Sequence, residues 1–215
     1  MALTTLDPNT ALVIVDLQKG NIGFPAIHPI GDIIERARAL ANALRERDLP
    51  AVLVNVAGDA PGRTEQPRQT DPRSEGWTNL TPELNQQPRD IVVTKRSWGA
   101  FASTDLEAML KARDVTQVVI AGVATGAGVE ARARQAYEQG FNVTLPIDTM
   151  TDVRPQGSRL QHRERLPAAR RNRREPGGHR PPGHKEHVRW PRFLSCPFSL
   201  AARSLRTRSL MSSAA

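Results

Sequence analysis

Two residues of opposite charge end apolar segments that are typical of buried strands. Asp16 ends the run ALVIVD, and Lys95 ends the run DIVVTK. A carboxylate that emerges from a buried strand needs a partner, and an ammonium at the end of a neighbouring strand supplies one. Such a pair can exchange protons with a bound small molecule. The alternatives are a structural ion pair, which perturbs pKa values as well, or an aspartate that only caps a helix or turn.

A glycine-rich turn and two aromatic residues belong to the same set of strand ends. The turn GVATGAGVE (122–130) follows the apolar run QVVIA, where α/β enzymes often carry a nucleophile, yet it contains no Ser, Cys or His. It has neither the Walker lysine nor a complete G-x-G-x-x-G, so nucleotide binding is weakly indicated. Trp98 and Phe101 follow Lys95 and suit the wall of a small-molecule pocket, with core packing as the alternative.

The elements that must position these residues alternate along the chain. Short β-branched runs predict strands, and amphipathic or capped segments predict helices between them. The predicted strands are 11–16, 51–56, 90–95, 117–122 and 142–148, and the predicted helices are 31–48, 104–111 and 126–140. This alternation is typical of parallel βαβ units. We therefore predict an α/β fold with a three-layer, Rossmann-like, doubly wound parallel sheet, whose ligand binds at the carboxyl ends of the strands.

The charge of the chain is divided unevenly. Residues 1–154 hold 16 Lys and Arg against 19 Asp and Glu, whereas residues 155–215 hold 14 against 3. We predict one folded domain over 1–154 and an irregular, basic, Arg- and Pro-rich tail over 155–215, either frameshifted or disordered. A basic tail can bind nucleic acid without specificity, which is a rival function, but we expect no specific nucleic-acid partner.

Composition also bears on metals and on cellular location. The loop 57–89 has no His or Cys, and its length predicts that it folds over another part of the molecule. Its Asp59 and Asp71 alone do not make a transition-metal site, so we expect neither metal nor cofactor. The single Cys196 excludes an internal disulfide. No apolar run approaches the ~20 residues that span a bilayer, and we expect a cytoplasmic protein without a membrane partner.

Three motifs together identify a family resemblance over residues 11–154. The segments ALVIVDLQKG, VTKRSWGAF and GVATGAGVEARARQAYEQGF resemble the isochorismatase-like hydrolase superfamily. The resemblance implies a six-stranded parallel sheet, with Asp16 and Lys95 as the catalytic residues. It places Gly128 at the position that holds the nucleophilic cysteine of the cysteine hydrolases.

The resemblance also assigns the rest of the glycine turn. Val123 and Ala124 match a cis-peptide that helps to form an oxyanion hole. Thr125, with Trp98 and Phe101, is expected to bind the substrate. Relatives often assemble through their helices, which leaves a homo-oligomer as an expectation.

The glycine at 128 changes the chemistry that the resemblance implies. Covalent thioester chemistry is excluded without a thiolate. Isochorismatases resemble this chain in having glycine there, and they hydrolyse a vinyl ether. The implied function is hydrolysis of a C–N amide or vinyl-ether bond in a small-molecule substrate, in which Asp16 protonates the substrate or activates water and Lys95 tunes its pKa. The alternative is a catalytically inactive relic or a small-molecule-binding protein with the same pocket.

The resemblance stops after Arg154, which predicts a one-base frameshift within 151–157. With third bases chosen freely, the codons for Leu166 to Glu175 read one base later give FPRLGETGA, which is similar to the ending of family members. Resequencing the gene across this window tests the hypothesis. We expect one base more or fewer than the codons for these residues require, and a read without such a change would contradict it.

Overall fold

A computed structural model describes residues 6–63 and 73–155, so the predicted tail lies, apart from residue 155, outside the described residues. Strands and helices alternate through this part of the chain. Their bounds are β1 (Thr10–Val15), α1 (Ile30–Arg45), β2 (Ala51–Val56), β3 (Ile91–Lys95), α2 (Leu106–Lys111), β4 (Gln117–Val123), α3 (Glu130–Glu138), β5 (Asn142–Thr144) and β6 (Met150–Thr151). None of the described helices is long and apolar enough to cross a membrane.

The strands form one parallel sheet in the order β3-β2-β1-β4-β5, and β6 pairs with β4 beyond the end of β5. The predicted α/β class with a parallel sheet is therefore confirmed. The chain builds outward from β1 through β2 to β3 and then returns to the other side of β1 as β4. The carboxyl ends of β1 and β4 thus flank the point where the strand order reverses, which is where such sheets bind ligands.

Two apolar cores, one on each face, make the three layers. Alternate residues of β1 point to opposite faces because the side-chain period of a strand is two. Ala11, Val13 and Val15 join the core beneath α2 and α3, and Leu12 and Ile14 join the core beneath α1. Every residue of β1 and β4 is buried, and both strands are continuous apolar runs after their first residues, Thr10 and Gln117.

Several predicted boundaries differ from the structure: the helix predicted over 31–48 spans Ile30–Arg45, and the helix predicted over 126–140 spans Glu130–Glu138. Two further differences have a local cause. The predicted strand 142–148 ends at Thr144, because Pro146 cannot donate a ladder hydrogen bond, and a 3₁₀ turn (Ile147–Thr149) leads to β6. The helix predicted from a capping box at Thr104 begins at Leu106. The hydroxyl of Thr104 still accepts the backbone N–H of Leu106 at 3.2 Å.

Residues 73–89, the second described part of the long loop, cover the segment that follows β1. Residues 77–81 run antiparallel to residues 17–20, with the backbone N–H of Gly20 donating to Trp77 O at 3.0 Å. The side chain of Gln18 ties the loop to β2. Its amide nitrogen donates to the carbonyls of Val56 at 3.0 Å and Trp77 at 3.1 Å. The loop therefore holds the segment directly after Asp16 in place through these hydrogen bonds.

We predict that Gly122→Ala destabilises the fold strongly. Gly122 has φ of +111°, and a Cβ there would lie 2.1 Å from the carbonyl oxygen of Val15 in the neighbouring strand. Strain and overpacking together should cost roughly 3 kcal/mol or more. Urea unfolding of the full chain measures the loss. Gly31→Ala is the control, because a Cβ at Gly31 meets nothing within 4 Å, and equal losses in the two variants would contradict the prediction.

Candidate active site

Asp16 lies at the carboxyl end of β1 with its carboxylate held between two cations. Its backbone adopts φ of +53°, a left-handed conformation that Asp tolerates better than most residues, while its N–H still donates to Val54 O at 2.8 Å. Carboxylate Oδ2 lies 2.7 Å from Lys95 Nζ, and Oδ1 lies 3.4 Å from Nη2 of Arg132. The predicted Asp16 and Lys95 are thus brought together at the switch point of the sheet.

Lys95 is almost completely buried at the end of β3. Its ammonium donates to the backbone carbonyl of Trp98 at 3.0 Å in addition to its contact with Asp16. Burial, reinforced by the positive charge of Arg132, lowers the pKa of Lys95 to about 8, although Asp16 opposes the shift. A lysine in this state can exchange a proton near neutral pH.

Arg132 is a member of the site that the sequence analysis did not single out. Its side chain is 0% exposed, and Nη1 donates to the carbonyl of Gly128 at 2.8 Å. Burial lowers the pKa of Arg132, with Asp16 opposing the shift. A signal was available in the sequence, because Arg132 shares the apolar face of α3 with Ala133 and Ala136 at helical spacing, where an arginine is unusual.

The glycine turn approaches the same ion pair. The Val123–Ala124 peptide is cis, and Thr125–Val129 form a π-helical turn that leads into α3. A Cβ at Gly128 would lie 3.1 Å from Asp16 Oδ2, 3.1 Å from Arg132 Nη1 and 3.2 Å from Val123 O. Position 128 therefore faces the Asp16 carboxylate, and the guanidinium of Arg132 occupies much of the room beside it.

Two further residues complete the surroundings of the turn. Thr125 is buried, and its hydroxyl has no hydrogen-bond partner among the described residues. Asp152, directly after β6, accepts the backbone N–H of Gly126 at 2.6 Å. The aspartate thus orients the turn, and the threonine hydroxyl is left available to a ligand.

The two aromatic residues have different environments. Phe101 is 4% exposed and belongs to the core, with its ring centroid 5.8 Å from that of Phe141. The core-packing alternative therefore describes Phe101. Trp98 is 66% exposed, and its backbone carbonyl, not its ring, contacts Lys95. Of these two residues, Trp98 is the one whose aromatic ring is exposed.

Comparison with known proteins assigns the family. Residues 10–168 match the model of the isochorismatase domain. The chain belongs to the isochorismatase family. The match extends beyond residue 154, where the sequence analysis placed the end of the folded domain. The carboxylate–lysine pair and the glycine turn all lie within the matched range.

Individual relatives support the same membership. An uncharacterized isochorismatase family protein of Bacillus subtilis (YwoC) is 36% identical over 149 residues, which cover 66% of this chain and 77% of the relative. Streptothricin hydrolase of Streptomyces noursei is 35% identical over 140 residues, 64% of this chain and 48% of that enzyme. A solved isochorismatase family protein of Burkholderia thailandensis superposes with a TM-score of 0.74 at 35% identity, covering 78% of this chain and 92% of the other. These matches indicate a hydrolase.

Two further observations concern the described part of this isochorismatase-family chain away from the site. Within 6–63 and 73–155, no group of three or more His, Cys, Asp or Glu side chains could hold a metal ion. A cavity of about 510 Å³ lies at the opposite, amino-terminal edge of the sheet. Two of its arginines are paired, Arg45 with Asp90 at 2.5 Å and Arg89 with Asp48 at 2.7 Å.

We predict that Lys95 makes the stability of this family member rise with pH above about 8. The folded pKa of about 8 lies below the ordinary 10.5, so the unfolded chain binds more protons between these values and folding is favoured as pH increases. The gain should reach roughly 3 kcal/mol at most by pH 10.5. Urea unfolding between pH 7 and 10 measures it. Lys95→Met should lack this component, and parallel curves for the two proteins would refute the prediction.

Proposed function

We propose that this chain hydrolyses a C–N amide or vinyl-ether bond in a small-molecule substrate without a thiol nucleophile. The observation that carries the proposal is the buried contact of 2.7 Å between Asp16 and Lys95 at the carboxyl edge of the parallel sheet. Membership in the isochorismatase family and the relative named streptothricin hydrolase support a hydrolytic reaction.

Asp16 is the base of the proposed reaction. Its side chain retains 8% exposure, and the proposed reaction places a water or substrate group against the carboxylate. The second contact, with Arg132 at 3.4 Å, restricts the rotation of the carboxylate and so keeps it in one orientation. A base held in this way takes a proton from an attacking water; in the vinyl-ether case Asp16 first passes a proton drawn from the Lys95 ammonium to the vinyl carbon and then takes one from the water.

Lys95 is the acid of the proposed reaction. Because its pKa is about 8, it releases a proton to a leaving nitrogen or oxygen more readily than an ordinary lysine. Its contacts to Asp16 and to Trp98 O hold the ammonium at the strand end. The two residues then have the complementary roles that paired acid–base groups require.

Because residue 128 is glycine, it cannot form a covalent intermediate with the substrate. Glycine has no side chain to attack a carbonyl, and the crowding of position 128 by Arg132 Nη1 at 3.1 Å leaves little room for one. The only cysteine in the chain, Cys196, lies outside the described residues. The nucleophile in the proposal is therefore a water molecule.

Purified full-length chain should hydrolyse isochorismate or a member of a panel of small amides. Asp16→Asn should lower kcat by about 10²- to 10⁴-fold, since that is the usual contribution of a general base. Chromatographic detection of the product measures the rate. Treatment with iodoacetamide should leave the rate unchanged, because no thiol takes part.

The matched control is Asp90→Asn. Asp90 is also a buried, ion-paired carboxylate, but it lies at the opposite edge of the sheet with Arg45. This variant should lose stability without losing the rate of the folded protein. Full activity of Asp16→Asn, or inactivation by iodoacetamide, would refute the mechanism. Ligand binding without turnover by any folded protein would make the chain a small-molecule-binding member of the family.

A further inference from the structure

The helical stretch that follows β4 takes its cap from a distant part of the chain. The π-helical turn Thr125–Val129 continues directly into α3. Its N-cap residue is Ala124, which has no side-chain oxygen to accept one of the free N–H groups of a first turn. Instead, Oδ2 of Asp152 accepts the N–H of Gly126 at 2.6 Å, across 26 positions in the sequence.

The carboxylate of Asp152 is buried without a cation beside it. Asp152 is 6% exposed, and it takes part in none of the ion pairs among the described residues. Its Oδ1 accepts the N–H of Arg154 at 3.1 Å. A buried carboxylate needs compensation, and backbone N–H groups at the positive end of a helical stretch supply it. The charge of Asp152 therefore favours its contact with the start of the turn.

The position of Asp152 is fixed from two directions. β6, which ends one residue before it, pairs with the last residues of β4. The backbone carbonyl of Asp152 accepts the N–H of Ile27 at 2.9 Å, and the hydroxyl of Thr151 accepts the N–H of His28 at 3.2 Å. The carboxylate is thus held by the sheet and by the segment that precedes α1.

The stretch that Asp152 caps carries two residues that surround the Asp16 carboxylate. Nη2 of Arg132 lies 3.4 Å from Asp16 Oδ1, and Nη1 donates to the carbonyl of Gly128 at 2.8 Å. A Cβ at Gly128 would lie 3.1 Å from Asp16 Oδ2. Since 3.4 Å is near the upper limit of a hydrogen bond, a shift of the stretch by about 1 Å would separate Arg132 from Asp16.

We propose that Asp152 is a positioning residue for the reaction, because its hydrogen bond to Gly126 keeps Gly128 and Arg132 against the Asp16 carboxylate. Asp152 acts through the turn, and Asp16 and Lys95 retain the chemistry. Its effect on the rate rests on the proposed function, whereas its effect on the ion cluster does not.

The ionisation of Lys95 tests the effect on the cluster without turnover. Asp152→Ala removes the acceptor and should let Arg132 move away from Asp16. Because the charge of Arg132 lowers the pKa of Lys95, that pKa should rise above its value of about 8. Loss of the Asp152 charge alone would act in the opposite direction, since a negative charge favours an ammonium. NMR titration of the full chain measures the pKa, and an unchanged or lower value in Asp152→Ala overturns the proposal.

The rate of hydrolysis tests the effect on the reaction. Asp152→Ala should lower kcat by about 10- to 100-fold with KM changed much less, since misplacement by about 1 Å has effects of this size. Asp152→Asn should restore most of kcat and keep the pKa of Lys95 near 8, because its amide oxygen can still accept the N–H of Gly126. Failure of Asp152→Asn to restore either property contradicts the role of the hydrogen bond.

Two further variants control for stability and for charge. Asp148→Ala is the matched control, because Asp148 is exposed and contacts Arg36 through its backbone carbonyl. An equal loss of kcat in Asp148→Ala contradicts the proposal. Should Asp152→Ala not fold, Asp152→Glu replaces it, since it keeps the charge but moves the carboxylate by one methylene. Asp152→Glu should then be slower than Asp152→Asn, and the reverse order would show that charge alone matters and reject positioning.

The two measurements separate this inference from the proposed function. A raised pKa of Lys95 in Asp152→Ala, with no hydrolysis by any folded protein, would support positioning by Asp152 and reject the reaction. Hydrolysis that is unchanged in Asp152→Ala would retain the reaction and reject the positioning role. Circular dichroism confirms that each variant is folded.

Discussion

The arrangement of the whole site depends on the Asp16 carboxylate and the two buried cations that contact it. Burying ions costs several kcal/mol each unless the geometry compensates, and removing one member of such a group leaves the others uncompensated. Asp16 follows β1, whereas Lys95 ends β3, with β2 between them. The side chains of Lys95 and Asp16 must therefore together span two inter-strand steps of about 4.8 Å each.

Glycine makes the close approach between the turn and the ion cluster possible. At Gly122 a side chain would clash with the backbone of β1, and at Gly128 it would meet Asp16 and Arg132. The carbonyl of Gly128 in turn accepts a hydrogen bond from Arg132 four residues later. The glycine at 128 and the buried arginine at 132 therefore depend on each other, because the guanidinium lies where the side chain of a larger residue at 128 would be.

The segment after β1 receives its support from the long loop. Gln18 is completely buried, and its amide group bonds to both the end of β2 and the backbone of Trp77. Because this residue lies two positions after Asp16, the loop restrains the turn that carries the carboxylate. The orientation of the carboxylate thus depends on packing remote from it in sequence as well as on its own ion pairs.

The sequence by itself determined the class of fold and the pairing of Asp16 with Lys95. Buried parallel strands must be apolar on both faces, so the runs of β1, β2 and β4 could be recognised, and the ends of parallel strands collect at one edge, which associates Asp16 with Lys95. The cis-peptide position and the significance of Gly128 came from the family resemblance. The early end of β5 could have been read from Pro146.

Only the tertiary structure brought Arg132 to the site and separated Trp98 from Phe101. Helical periodicity places Arg132 on the apolar face of α3, but it does not say which strand end that face meets. The meeting point depends on the strand order, in which β4 lies beside β1, and on the glycine turn that starts α3 next to Asp16. Charge balance is likewise a property of three-dimensional contacts, because residues 16, 95 and 132 are distant in sequence and act on one another only after folding has excluded water between them.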